Sequence, residues 1–387
     1  MCKINHSAFN LCRLKIEKMS KGPMCNVSDY EEFALSVLPK STADYYKSGA
    51  ENEYSLNQNR QAFQRLRLRP RMLVDVSQLS CSTKVFGEEV AIPIGIAPTA
   101  MQKMAHPSGE CANAKAAGAM GTIFTLSTIS TSSIEEVAEA APDTVKWFQL
   151  YIYKDREVTK KLVQRAERSG FKALVLTVDA PIFGIRYADE RNRFSLPPHL
   201  RLANFSDDKA TKVTEARDDQ SSLNAYVFSL LDQKLTWKDI KWLKSITRLP
   251  IVLKGILTAE DAIIAADLGV EAIQVSNHGA RQLDTVPAAI EALPEIVKAV
   301  GDRCEIFFDG GVRSGTDVFK AVALGAKMVF VGRPALWGLA HSGQQGVEHI
   351  LKILKKELIT SMTLTGCTSL ATISKSMVVH ENYYSRL

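Results

Sequence analysis

The second half of the chain repeats one pattern four times, in the runs PIVLKG (250–255), AIQVSNHG (272–279), EIFFDGG (305–311) and MVFVGRP (328–334). Each run is short, apolar and rich in β-branched or aromatic residues, which is typical of a strand that is buried on both faces. The first half contains four similar runs: IPIGIAP (92–98), GTIFTLST (121–128), VKWFQLYI (145–152) and KALVLTVD (172–179). The sequence therefore predicts eight buried strands.

Helical patterns separate most of the neighbouring runs. Three of them begin with a hydroxyl residue followed three positions later by a carboxylate, which is a helix-capping pattern. The pairs are Ser133 with Glu136, Thr258 with Asp261, and Ser314 with Asp317. Buried strands that alternate with amphipathic helices predict a parallel sheet covered by helices, and eight such units close into a (β/α)8 TIM barrel. A doubly wound open sheet is the alternative.

The composition narrows the class of protein. The first 24 residues carry five Lys and Arg against one Glu, so they supply +4 of the net charge of +6, and the rest is nearly neutral. A nearly neutral body argues against a nucleic-acid-binding surface. No apolar run approaches the roughly 18 residues of a membrane span. The seven scattered cysteines lack metal-ligand spacing, which predicts no metal site and fits a reducing compartment.

Three segments lie outside the repeat. Residues 1–26 are expected to be a poorly ordered basic extension ahead of a barrel domain at 27–387. Residues 27–82 read as helical, with two short helices within 29–50, and RLRLRPR (65–71) reads as an edge segment with its arginines in water. About 70 residues separate the fourth strand from the fifth, and their polar middle (205–222) predicts a lid insertion at about 187–235.

Two glycine turns after the last strands predict a phosphate site. Asp309, Gly310, Gly311, Val312 and Arg313 follow the seventh strand, and Gly332 and Arg333 follow the eighth. Small residues let backbone N–H groups approach an anion, and each turn adds a guanidinium. Phosphates commonly bind at this end of a barrel.

The loop after the sixth strand contains candidate catalytic groups. His278 could act as a base beside Arg281, while Asp179, at the end of the fourth strand, could orient its imidazole. Arg186 could supply a second cation for an anionic substrate. Lys254, in the fifth strand, is consistent with a Schiff-base lysine, as in barrel lyases, or with a charge that supports a cofactor ring.

Seven motifs together resemble the FMN-dependent L-2-hydroxy acid oxidases, the family that includes glycolate oxidase and hydroxyacid oxidase. The motifs are LPKSTADYYKSGA (38–50), QLYIYKDREVTKKLV (149–163), RNRFSLPP (191–198), LPIVLKGI (249–256), VSNHGARQLD (275–284), DGGVRSGTDV (309–318) and VFVGRP (329–334). The resemblance runs from about Val27 to the C-terminus. It implies FMN as the cofactor, which agrees with the lack of a strand-linked GxGxxG motif.

The resemblance also implies roles for individual residues. His278 would take a proton from the substrate, with Asp179 as its partner, and Lys254 would face the flavin ring. Substrate-binding groups would be Tyr45, Tyr151, Arg186, Arg281 and Ile129. The ring and ribityl chain would be held by Pro98, Thr99, Ala100, Ser127, Gln149, Thr177 and Ser276, and the phosphate by residues 309–313 with Gly332 and Arg333.

One position departs from the members that prefer glycolate. They have a tryptophan where this chain has Ile129, within STISTSS (127–133). The smaller side chain predicts a wider site that accepts longer aliphatic or aromatic 2-hydroxy acids. Ile182, Phe183 and Ile185 are expected to add apolar lining.

The sequence carries fewer signals for the electron acceptor and for the subcellular location. No haem-binding domain precedes the barrel, so dioxygen is the expected acceptor and hydrogen peroxide the product. A dehydrogenase with another acceptor, a Schiff-base barrel lyase and a ligand-binding barrel without catalysis are the alternatives. The ending Ser385-Arg386-Leu387 resembles a peroxisomal address read by an import receptor, whereas the basic N-terminus favours a mitochondrion. The cytoplasm is a further alternative, and the resemblance implies a homotetramer.

Overall fold

The computed structural model describes residues 22–205 and 230–386. The basic extension up to Lys21, residues 206–229 of the predicted lid insertion, and Leu387 lie outside the described residues. The predictions made for these segments therefore remain predictions.

Eight parallel strands close into a barrel, as the repeat predicts, and the open-sheet alternative is wrong. Each strand pairs in parallel with the next, and the eighth closes the ring against the first. The barrel strands are β1 (Ile94–Ile96), β2 (Ile123–Leu126), β3 (Val145–Leu150), β4 (Ala173–Thr177), β5 (Ile251–Ile256), β6 (Ala272–Val275), β7 (Glu305–Asp309) and β8 (Met328–Val331). Seven of them lie within the runs identified in the sequence, and β5 extends one residue beyond its run, to Ile256.

Twelve helices accompany the strands in the described part of the chain. They are α1 (Val27–Val37), α2 (Lys40–Lys47), α3 (Tyr54–Gln64), α4 (Gly109–Ala119), α5 (Ile134–Ala140), α6 (Arg156–Arg168), α7 (Tyr187–Arg191), α8 (Trp237–Ile246), α9 (Ala259–Asp267), α10 (Ala289–Val300), α11 (Gly315–Ala323) and α12 (Arg333–Thr365). Helix α12 is bent by non-helical backbone at Ser342 and Gly343. Across residues 22–205 and 230–386, no helix has both the length and the apolar character of a membrane span.

Two of the three capping predictions are confirmed in full, and the third, at Thr258, is confirmed for the hydroxyl only. Ser133 and Ser314 form complete capping boxes with Glu136 and Asp317. The hydroxyl of Thr258 accepts the N–H of Asp261 at the start of α9. These caps satisfy N–H groups that the first helical turn leaves without an internal partner, so they fix where each helix begins after its strand.

Aromatic packing closes the amino-terminal end of the barrel. A short antiparallel hairpin, Thr83–Val85 with Glu88–Val90, lies under this end. The ring of Phe86 lies 5.5 Å from that of Trp147 and 5.7 Å from that of Phe307. Because this end is filled, a ligand can enter the barrel only from the carboxyl ends of the strands.

The N-terminal prediction is confirmed in part. The two short helices are α1 and α2, and α3 follows them. The helical prediction is wrong beyond Arg65, because Leu66–Leu68 forms a strand that pairs with Val378–His380. This pairing agrees with the edge segment inferred from RLRLRPR, and the Arg67 side chain is exposed there.

Candidate active site

A cavity lies at the carboxyl ends of the strands, and its empty space, including the part that is open to solvent, is about 1050 Å³. All predicted site residues line it except Asp179, Ser276, Ile182 and Ile185. The lining residues that the sequence identified are Tyr45, Pro98, Thr99, Ala100, Ser127, Ile129, Gln149, Tyr151, Thr177, Arg186, Lys254, His278, Arg281, Asp309, Gly310, Gly311, Val312, Arg313, Gly332 and Arg333. The parallel barrel thus gathers residues from distant parts of the chain, as eight strand ends at one rim require.

His278 and Asp179 form a hydrogen-bonded pair at one side of this cavity. Nδ1 of His278 lies 2.9 Å from Oδ1 of Asp179. The carboxylate fixes the proton on Nδ1 and leaves Nε2 as an acceptor. Gly255 makes room for the pair, because its φ is +114° and a Cβ there would lie 2.6 Å from the Asp179 side chain.

The environment of the pair favours a neutral imidazole. Burial lowers the pKa of His278 below its ordinary value of 6.5, although the charge of Asp179 opposes that shift. Burial alone would raise the pKa of Asp179, but the charge and hydrogen bond of His278 outweigh it and lower that pKa. An ionised carboxylate beside a neutral imidazole is the state in which His278 can accept a proton.

Lys254 is anchored by a polar network behind the cavity. Its Nζ donates to the hydroxyl of Ser276 at 3.0 Å and lies 3.4 Å from Oδ2 of Asp309. Asp309 also accepts from Ser276 at 2.6 Å and from Gln274 at 2.5 Å. Both oxygens of Asp309 are therefore engaged. This favours a role in which Asp309 holds Lys254 in place, rather than the phosphate contact that its position in the sequence suggested.

Two guanidinium groups face the cavity near His278. Nη1 of Arg281 donates to the carbonyls of Tyr45 (2.6 Å) and Ser48 (2.9 Å), and its guanidinium lies 4.9 Å from the ring centre of Tyr45. Arg186 pairs with the buried Asp189 at 3.3 Å. Burial, with the like charge of Arg281, lowers the pKa of Arg186 to about 10. The group stays cationic at neutral pH, so together the two arginines provide an anion site.

Tyr45 and Tyr151 complete this side of the cavity. The Tyr45 ring stacks on Phe194 with centroids 4.3 Å apart, so its position depends on residues just after α7. Burial, with the charge of Asp179, raises the pKa of Tyr151 above its ordinary value of 10.0. Tyr151 therefore keeps its hydroxyl proton and can donate a hydrogen bond to an anionic ligand.

The opposite end of the cavity contains two partly buried arginines, Arg313 and Arg333, beside a glycine turn. Burial, with the charge of Arg60, lowers the pKa of Arg313 to about 10. Burial lowers the pKa of Arg333 more strongly, helped by Arg281 and Arg313. Within the described residues, Nε of Arg313 has no hydrogen-bond partner. This nitrogen lies 3.8 Å from the Glu31 carboxylate, which balances part of the charge. A phosphate would relieve the remaining repulsion between the cations, so these residues fit a phosphate.

Gly311 is required by close packing at this end. Its φ is +82°, and a Cβ there would lie 2.0 Å from the carbonyl oxygen of Asn59. Any side chain would therefore push α3 away from the turn that follows β7. The sequence indicated a glycine turn here, but not the helix that packs against it.

Gln149 joins the ends of β3 and β4 across the cavity floor. Its Oε1 accepts the N–H of Thr128 at 3.1 Å, and its Nε2 donates to the hydroxyl of Thr177 at 3.1 Å. The hydroxyl of Ser127 also donates to Oε1 at 3.4 Å. This polar floor presents amide and hydroxyl groups to a planar, hydrogen-bonding ligand.

The apolar wall agrees only in part with the sequence prediction. Ile129 is 7% exposed and lines the cavity, as does Phe183. The expectation for Ile182 and Ile185 is wrong, because these side chains are 59% and 52% exposed and lie outside the lining. The backbone of Gly184 packs closely against the carbonyls of Arg281 and Gln282, where a Cβ would lie 2.5 and 2.1 Å away, and of the three residues only Phe183 lines the cavity.

Several residues of the site gave no signal in the sequence. Asn59 and Asn277 exchange two side-chain hydrogen bonds, of 2.9 and 2.8 Å, and so tie α3 to the loop that contains His278. Tyr46, Phe330 and Leu336 also line the cavity. Only the position of Asn277 beside a candidate base could have identified it, because its partner lies 218 residues away.

Comparison with known proteins gives a consistent result. Residues 34–380 match the family model described as FMN-dependent dehydrogenase. Glycolate oxidase 1 of Zea mays is 54% identical over 361 residues, which cover 93% of this chain and 97% of that protein. 2-Hydroxyacid oxidase 1 of Homo sapiens is 54% identical over 353 residues, covering 91% and 95%.

Solved structures agree with these relatives. Mandelate oxidase with (S)-4-hydroxymandelic acid gives a TM-score of 0.85 at 42% identity, covering 90% of this chain and 97% of that one. A variant of an active chimera of (S)-mandelate dehydrogenase gives 0.85 at 36% identity, covering 93% and 100%. Both similarities span the whole barrel.

Proposed function

The chain belongs to the FMN-dependent dehydrogenase family and oxidises 2-hydroxy acids to 2-keto acids with FMN; from this premise we propose its substrate range, its electron acceptor and its site roles. The substrates are L-2-hydroxy acids with medium, long or aromatic side chains, and dioxygen accepts the electrons to give hydrogen peroxide. The observation that supports the roles is one cavity with a base, an anion clamp and a phosphate site.

The residues divide the reaction between them. FMN supplies a two-electron acceptor when it is bound. Arg186 and Arg281 hold the substrate carboxylate, and Tyr45 and Tyr151 donate hydrogen bonds to its oxygens. This fixes the carbon at which oxidation occurs beside Nε2 of His278, which takes a proton from the substrate while Asp179 stabilises the resulting cation. Lys254 stabilises negative charge on the cofactor ring, and Arg313 and Arg333 bind the phosphate.

The acceptor is tested by anaerobic spectroscopy. We expect the purified yellow protein to lose its visible absorbance when an L-2-hydroxy acid is added without oxygen, and to regain it within seconds in air, with hydrogen peroxide formed in equal amount. The D-enantiomer serves as the control and should leave the spectrum unchanged. Bleaching that persists in air, but is reversed by an artificial acceptor, would make the protein a dehydrogenase, as in the mandelate dehydrogenase chimera.

The substrate range is tested at Ile129. Replacing Ile129 with Trp fills the wall, so we expect kcat/KM for 2-hydroxyoctanoate and mandelate to fall by at least about 10-fold, while glycolate improves. The matched control is Ile129→Leu, which conserves volume and should change each value by less than about 3-fold. An Ile129→Trp enzyme without improved glycolate activity would contradict the role of this wall.

Location and assembly are proposals of a different kind. We place the protein in the peroxisome, where an import receptor would read Ser385-Arg386-Leu387 and peroxide could be removed, and we expect a homotetramer. The C-terminal tripeptide supports the peroxisomal location, and membership of the family supports the homotetramer. Loss of organelle targeting after Leu387 is deleted, and light scattering of the holoenzyme, test them separately.

A further inference from the structure

Glu110 is a fully buried carboxylate that lies behind the cavity, near the start of α4. Its Oε1 accepts backbone N–H groups from Gln102 (2.9 Å) and Thr131 (2.8 Å). The hydroxyl of Thr131 lies 2.9 Å from both carboxylate oxygens, and the hydroxyl of Ser132 donates to Oε2 at 2.9 Å. One carboxylate therefore connects the loop after β1 to the loop after β2.

Both of these loops contribute lining to the cavity. The loop after β2 contains Ile129, whose carbonyl accepts the N–H of Met101 at 3.1 Å. The loop after β1 contains Thr99, whose hydroxyl accepts from the Gln102 side chain at 2.9 Å. Glu110 binds each loop within three residues of a lining group, so a change in its position would be transmitted to Ile129 and to Thr99.

The loop after β1 is strained, which increases its dependence on such attachments. Met101 has a φ of +57°, a conformation that costs free energy for a residue with a Cβ. Its carbonyl accepts the hydroxyl of the buried Tyr46 at 2.8 Å. Strained backbone persists only where surrounding contacts over-determine it. Glu110 supplies such a contact at the next residue, Gln102.

We propose that Glu110 is a positioning residue that sets the distance between the Ile129 wall and the reacting end of the substrate. The proposal rests on the wall function proposed for Ile129. No donor to Glu110 in the described part of the chain is a cation, although burying a lone carboxylate is costly. Hydrogen bonds to two loops are what offset that cost here.

The test is a change in substrate discrimination. For Glu110→Ala in the holoenzyme, we expect kcat/KM for 2-hydroxyoctanoate to fall by about 10-fold or more, because misplacement of a positioning group is costly. Glycolate has no side chain to meet the wall, so its kcat/KM should fall by less than about 3-fold. If Glu110 had a purely structural role, its replacement would lower the fraction of enzyme that is folded and contains FMN. Both kcat/KM values would then fall equally.

Glu110→Gln should restore the discrimination. The amide oxygen can accept the two N–H groups, and the hydroxyls of Thr131 and Ser132 can rotate to accept from its nitrogen. If Glu110→Ala does not fold, Thr131→Val provides the same test with one donor removed. Thr144→Val is the matched control: it breaks a buried 3.1 Å bond to Ala114, further along α4, and should leave the substrate ratio unchanged.

The outcomes distinguish this proposal from the proposed function. The readout is the ratio of the two kcat/KM values relative to the wild type, whichever acid the wild type prefers, together with the visible circular dichroism of the bound flavin. An unchanged ratio and spectrum in Glu110→Ala would overturn the positioning role while the oxidase function stands. If the wild-type enzyme oxidises glycolate but none of the longer 2-hydroxy acids, the proposed substrate range is contradicted instead. A double variant of Glu110→Ala with Ile129→Ala should show non-additive changes in the kcat/KM ratio.

Discussion

Replacing His278 with Asn is expected to lower kcat by about three orders of magnitude, because general base catalysis contributes about 10²- to 10⁴-fold. Asn is the appropriate replacement, since His278 has a φ of +58° and Asn tolerates this region better than most residues. The measurement is the rate of anaerobic flavin bleaching at saturating substrate. Flavin content should be unchanged, because the arginines at the phosphate end remain.

The pH dependence of kcat/KM tests independently whether His278 is the catalytic base. Burial lowers the pKa of His278 below its ordinary value of 6.5, so kcat/KM should be lost only as pH falls below the ordinary imidazole range, where the imidazole becomes protonated and cannot accept a proton. Asp179 raises the pKa of His278, so Asp179→Asn should move this acid limb to lower pH and also slow the reaction. An acid limb that persists in His278→Asn would assign the titration to another group.

The fold could be predicted from the sequence because its signals are local. A strand buried on both faces is apolar throughout, a helix start requires a cap, and both are visible within a few residues, as at Ser133 and Ser314. The site was predictable because a parallel barrel brings all eight strand ends to one rim. Knowing which residues lie at or just beyond the carboxyl end of each strand was therefore sufficient to place His278, Lys254 and Arg313 around one cavity.

The residues that support this cavity could not be predicted, because their partners are distant in the chain. Glu110 and Thr131 lie 21 residues apart, and Asn59 and Asn277 lie 218 apart. Ile182 and Ile185 show the opposite failure. Their apolar character indicated lining, but the packing of Gly184 against the distant backbone of Arg281 and Gln282 holds this segment so that Phe183 lines the cavity while both isoleucines are exposed.

The two arginines near His278 differ in how they are balanced. Arg186 has Asp189 as a buried partner, whereas Arg281 donates only to neutral carbonyls, those of Tyr45 and Ser48, in the contacts described here. A substrate carboxylate would therefore give Arg281 the negatively charged partner that Arg186 already has in Asp189. Burial raises the pKa of the Asp189 carboxyl, and the charges of both arginines oppose that shift. Only Arg186 contacts Asp189 directly, so removing Arg186 would also break this contact. Arg281 is for this reason the cleaner site for a test.

Replacing Arg281 with Met is expected to lower kcat/KM for 2-hydroxy acids by about 10²- to 10³-fold, mainly through KM, because breaking a buried ion pair costs about 3–5 kcal/mol. The neutral methyl ester of the same acid is the internal control. The wild type should use the ester poorly, and Arg281→Met should change its kcat/KM by less than about 3-fold, because the ester has no charge to lose.

Arg281→Lys separates charge from geometry in the same experiment. A lysine can donate to the carbonyls of Tyr45 and Ser48 but cannot hold a carboxylate with two parallel hydrogen bonds. The kcat/KM of Arg281→Lys for the acid should therefore lie between the values of the wild type and of Arg281→Met. If acid and ester lose activity equally in Arg281→Met, the residue acts by holding α2 and Tyr45 in place. If only the acid is affected, Arg281 binds the substrate carboxylate directly.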